Sequence, residues 1–117
     1  MSELYKRLNP FLGDKQKLIE RMAGRMDLWE ECVLLFPGPE LIEKIDDALC
    51  REDSVFLYQE VHRLKGNLAN FGFDRAAEKA LAVLQAIKGN DMSSVRQGYA
   101  ELREEYLQIT ERIGEAK

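Results

Sequence analysis

His62 is the one histidine among 117 residues, and Lys65 and Gly66 follow it about one helical turn later. A free imidazole titrates near about 6.5, so at pH 7 one ring nitrogen carries an available lone pair and attacks an electrophile without a separate base. A lysine one turn along reaches the oxygens of a phosphoryl group once that group is attached to the ring. A glycine inside a helix costs about 0.5–1 kcal/mol relative to alanine. At position 66 it removes the side chain that would stand beside the imidazole, which leaves room for a bulky adduct and for the loops of a second protein. The chemistry that suits all three is nucleophilic phosphoryl transfer. Taken singly they have plainer readings: a surface histidine, a solvated lysine, and a glycine that lets a neighbouring helix pack closely.

Other chemistries lack their parts. One histidine with two distant cysteines, Cys32 and Cys50, cannot assemble the usual zinc ligand set. Asp46-Asp47 and Glu104-Glu105 are neighbours on helices, where adjacent side chains diverge by about 100°, so neither pair flanks a substrate bond. Ser54, Ser93 and Ser94 fall at helix starts and read as caps, with no nucleophile elbow around them. No G-x-x-x-x-G-K-[ST] or G-x-G-x-x-G motif occurs, so no nucleotide site of the chain's own is expected. The formal charge is 17 − 21 = −4 with no basic run, which argues against nucleic acid and for a protein partner. Apolar stretches fall far short of the ~20 residues of a membrane span, no leader or transit pattern opens the chain, and two unpaired thiols suit a reducing compartment. A cytoplasmic protein is expected.

The elements that must position His62 are helical. With 45% hydrophobic and 32% charged residues, the composition is that of one soluble globular domain over 1–117. The prolines are confined to Pro10, Pro37 and Pro39, and breakers lie at Pro10–Asp14, Pro37-Gly38-Pro39, Arg51–Ser54, Gly72 and Gly89-Asn90-Asp91. The periodicity predicts a long helix over about Asp14–Phe36 that buries Leu18, Met22, Met26, Trp29, Val33 and Phe36. A shorter one runs from Pro39 to Cys50 around Ile42, Ile45 and Leu49. Ser54–Phe71 carries the seam Leu57, Val61, Leu64, Leu68 and Phe71, capped by Asp53 or Ser54 and ended by Gly72. Asp74–Lys88 presents Ala77, Ala80, Leu81, Leu84 and Ile87, with Gly89 closing it. The last helix aligns Val95, Tyr99, Leu102, Tyr106, Ile109 and Ile113. Short loops make consecutive helices antiparallel, so the fold class is all-α: a four-helix bundle with a short additional helix over about Leu4–Leu12 across one end.

At about 100° per residue, His62 points roughly 130–150° away from its helix's buried seam. Val55, Tyr58, Lys65, Gly66 and Ala69 share its face, with Gln59 and Arg63 alongside. A face so poor in charge is expected to dock a protein. Tyr58 there is either rim packing or a docking contact.

The stretch His62-Arg63-Leu64-Lys65-Gly66-Asn67-Leu68-Ala69-Asn70-Phe71-Gly72 resembles the signature of histidine-containing phosphotransfer domains, the HPt family of two-component phosphorelays. The likeness combines an H-x-L-K-G core, a glycine ten residues after the histidine and a Phe36-Pro37-Gly38 break, and it extends over nearly the whole chain. It implies that His62 accepts a phosphoryl group from the aspartate of one receiver domain and passes it to another. Lys65 would then be the charge partner and Gly66 the clearance residue. The resemblance further implies no cofactor of the protein's own, Mg²⁺ supplied by the receiver, and partners among response regulators or a hybrid sensor kinase. Asn67 and Ala76 depart from the family's commoner small residue and leucine, off the exposed face. Unlike the phosphoaccepting helices of sensor kinases, this one has Arg63 where an acidic residue usually follows the histidine and Asn67 where a proline stands. A carrier is expected, and a monomer leaves the His62 face free. Two other readings are a chemically silent interaction module and the separate phosphoacceptor module of a chemotaxis-type kinase.

Overall fold

Three helix starts in this chain are set by aspartate caps, and several exits by left-handed backbone. Asp14, Asp53 and Asp91 each accept the N–H three residues on, from Lys17, Phe56 and Ser94, at 3.1 Å. A computed structural model describes residues 2–116. Among them are seven α-helices and no strand: α1 Glu3–Leu8, α2 Lys15–Arg21, α3 Met26–Val33, α4 Pro39–Cys50, α5 Ser54–Asn70, α6 Asp74–Lys88 and α7 Met92–Glu115, with a 3-10 turn at Asn9–Phe11. The helices α4 to α7 form the antiparallel bundle, and α1 lies against α7, tied by Arg7 to Glu115 at 2.7 Å.

The long helix expected over Asp14–Phe36 is two helices. Ala23 (φ 52°) and Gly24 (φ 76°) turn left-handed between them. There the Ala23 N–H donates to the Glu20 carbonyl and the Gly24 N–H to that of Ile19, a Schellman exit. The apolar period runs through the break unbroken, which is why periodicity alone missed it. What the redirection achieves is tertiary. It carries Trp29, fully buried, between Tyr5 of α1 and Phe73 before α6, where its indole N–H donates to the Phe71 carbonyl at 2.9 Å.

Gly89 closes α6 as expected, as its C-cap, and Asn90 (φ 53°) after it turns left-handed. Two smaller expectations are corrected. The start of α5 is capped by Asp53, one of the two residues expected there, and that of α7 by Asp91, so Ser54, Ser93 and Ser94 are not the caps. Along α6 the buried set is Ala76, Ala77, Ala80, Val83 and Leu84, while Leu81 is 41% exposed. Helix α6 packs against both α5 and α7, and Leu81 is left on its outer rim beside Lys65.

A polar layer ties α4 and α6 to α7. Tyr99 donates to Asp46 at 2.7 Å, Arg103 adds a forked contact to the same carboxylate, and Tyr106 donates to the Pro37 carbonyl at 2.6 Å. Buried Glu105 accepts from Arg75 at 2.7 Å and Lys79 at 3.0 Å. These contacts fix α4 and α6, the two helices that flank α5 in the chain, against α7.

Candidate functional site

The helix α5 is anchored by one face and one end. Leu57, Val61, Leu64 and Leu68 are buried, and the exit turns at Gly72 (φ 87°), where the Phe73 N–H donates to the Leu68 carbonyl at 2.9 Å. Glycine is required there twice over: the backbone is left-handed, and a Cβ would meet Leu18 at 2.9 Å. With the seam inward, His62 faces out and is exposed, as its angular offset predicts.

The imidazole occupies a shallow open depression lined by Tyr58, Gln59, His62 and Arg63. Among the described residues no carboxylate lines it. The Tyr58 ring stacks on that of His62, with centroids 6.0 Å apart and planes 19° apart. Arg63 leans away to Glu60 on the same helix at 3.3 Å, an exposed pair of little energetic weight. Lys65 is half-buried and lines a second depression with Asp74, Ala77, Glu78 and Leu81, between α5 and α6.

Gly66 has open space where its side chain would be: a Cβ built there meets nothing within 4 Å. Gly98 of α7 shows the contrast, since its Cβ would touch Val83 of α6 at 3.4 Å. Gly98 thus faces a neighbouring helix at contact distance, whereas Gly66 faces open space.

The remaining expected positions divide by exposure. Val55 is 70% exposed and Gln59 is open, whereas Tyr58 and Ala69 are half-buried against the core. The Ala69 carbonyl also accepts from Arg21 of α2. Two residues at the site were missed from sequence. Leu81 was assigned to the core, although an apolar stripe of Ala77, Ala80, Leu81, Leu84 and Ile87 is wider than one contact face, a signal that one member lies outside. Lys88 had no local signal. Its ammonium sits 5.6 Å from the centre of the Tyr58 ring, a meeting of two helices that only folding creates. Among the described residues no group of three or more His, Cys, Asp or Glu is placed to hold a metal ion, and no helix is long and apolar enough to cross a membrane.

An all-helical bundle displaying one outward histidine is the architecture the sequence resemblance implied. Compared with protein families, residues 33–112 match the Hpt domain. The chain belongs to that family, and it is accordingly a histidine phosphotransfer protein of phosphorelay signalling, a phosphocarrier. The match opens at Val33, the last residue of α3, so it is narrower than the near-complete resemblance expected and leaves out α1 and α2. Comparisons with curated proteins and with solved structures gave no match.

Proposed function

We propose that His62 is the phosphoacceptor, taking a phosphoryl group from the aspartyl phosphate of one receiver domain and delivering it to the aspartate of another. The ring nitrogen farther from the backbone, Nε2, attacks phosphorus in line with the acyl oxygen. The P–N bond forms, the P–O bond to the aspartyl carboxyl breaks, and the bonding pair leaves on the regenerated carboxylate. Delivery is the same exchange run in reverse on a second receiver. The receiver brings Mg²⁺ to the transferring phosphoryl group, while this chain supplies the nucleophile, the Lys65 ammonium and the clearance at Gly66.

The observation that carries this reading is the pairing of an exposed imidazole with a glycine that nothing in the chain's own packing requires. A depression without a carboxylate adds to it, since no side chain there is placed to activate water against a phosphohistidine. Val55, Gln59, Arg63 and Ala69 would form the docking rim, with the Tyr58 ring behind it against the imidazole. The test is to mix the protein with a receiver domain phosphorylated by a small acyl phosphate. An acid-labile, base-stable label is expected on the wild type and none on His62→Gln, with identical circular dichroism. Label persisting in that variant would refute the assignment.

A further inference from the structure

His62 is supported on one side and open on the other. Helical side chains lean toward the N-terminus of their helix, so the imidazole lies over the turn that carries Tyr58, and a side chain at 66 would lie over the imidazole. The first place is filled by an aromatic ring and the second is empty. The Tyr58–His62 geometry, 6.0 Å between centroids and 19° between planes, is an offset stack within the favourable range for ring pairs.

The two rings differ in how firmly they are held. Tyr58 is half-buried and packs on the core, whereas His62 is exposed, so the tyrosine is the fixed member and the histidine the one that gains order. Tyr58 is held in turn from α6, where the Lys88 ammonium sits 5.6 Å from its ring centre, within cation–π reach. No hydrogen bond to His62 does this job among the described residues, so stacking is the contact that orients the ring.

We infer that Tyr58, steadied by Lys88, is a positioning residue for phosphoryl transfer: it keeps the His62 ring in one rotamer with Nε2 presented outward, and it is not chiefly a contact for the docking protein. The inference rests on His62 being the phosphoacceptor. An unsupported ring would divide itself between the two χ1 wells a helix allows and about two χ2 orientations, so only about one quarter of molecules would hold the reactive geometry at any moment. The pairing joins residues on two helices, 58 and 88, that no local motif connects.

The test separates this inference from the one beneath it. A receiver domain already shown to label the wild type is the donor, and the maximal transfer rate and half-saturating receiver concentration are measured for Tyr58→Ala, Tyr58→Phe and Lys88→Gln. Tyr58→Ala is expected to lower the maximal rate about two- to fourfold with half-saturation unchanged. Tyr58→Phe, which keeps the stack, restores the rate, and Lys88→Gln lowers it about twofold. Phosphoramidate, a small donor that approaches the ring from any side, is expected to label Tyr58→Ala at the wild-type rate. In the unphosphorylated protein, the carbon-bound ring protons of His62 should shift in NMR spectra of Tyr58→Ala through loss of the tyrosine ring current, a readout independent of any transfer. Raised half-saturation with an unchanged maximal rate would make Tyr58 a docking contact and overturn the inference, as would unshifted His62 resonances. A wild type that no donor labels would instead remove the phosphoacceptor assignment itself.

Discussion

A side chain at position 66 would lie across the imidazole of His62, and the space it would enter is vacant. Gly66→Leu is therefore expected to leave the bundle intact, with helix propensity adding up to about 1 kcal/mol of stability. The same change should slow transfer from a receiver about 10- to 100-fold by blocking approach. Thermal unfolding and transfer rate measured on one preparation check both halves, and an unchanged rate would show that the clearance has no role. Lys65 is half-buried one turn from the ring, so Lys65→Ala should shorten the lifetime of the phosphorylated form about two- to fivefold, the range of a partly exposed ion pair. Equal loss of lifetime and of fold stability would assign Lys65 to packing instead.

Individual elements end where left-handed backbone is available, and the residues found there are not uniformly suited to it. Ala23 holds φ 52° and Gly24 φ 76° at the break between α2 and α3. Ala23→Gly is expected to stabilise the protein by about 0.5–1 kcal/mol, because a Cβ is disfavoured in this region. Gly24→Ala should destabilise it by about 1 kcal/mol through backbone strain alone, since no atom lies within 4 Å of its Cβ position. Gly72→Ala adds a clash with Leu18 at 2.9 Å to the same strain and is expected to cost more than Gly24→Ala. Denaturant midpoints order the three. The bounds of α4 and α6 could be read from prolines, glycines and periodicity, because those signals act within a few residues. The break at Ala23-Gly24 could not, since alanine favours helix and the force that overrides it is burial of Trp29 against Tyr5 and Phe73 from elsewhere in the chain.

The whole molecule is held together by buried phenols as well as by its apolar core. Tyr99 and Tyr106 of α7 donate to Asp46 within α4 and to the Pro37 carbonyl just before it. Burial pushes both phenols well above their ordinary value of 10.0, with Asp46 adding to the effect at Tyr99 and Glu40 at Tyr106. The unfolded chain begins to release these protons near pH 10 while the folded chain keeps them. The linked stability is thus complete below about pH 10 and declines as pH rises beyond it. Urea midpoints are expected to be independent of these phenols up to that point and to fall above it. Tyr99→Phe or Tyr106→Phe should make the fall shallower, and an unaltered slope would exclude the phenols as its cause.

The order of helices, the seam of α5, the outward aim of His62 and the H-x-L-K-G stretch were all legible along the chain. Helical geometry converts spacing into direction, and reactive groups keep their chemistry wherever they are placed. Whether Gly66 is empty or packed, whether Leu81 is core or rim, and whether Lys88 reaches the Tyr58 ring depend on how α5, α6 and α7 approach one another. Position 88 is 26 residues from position 62 in the chain. No local pattern encodes that approach, because it is settled by the fit of many side chains at once.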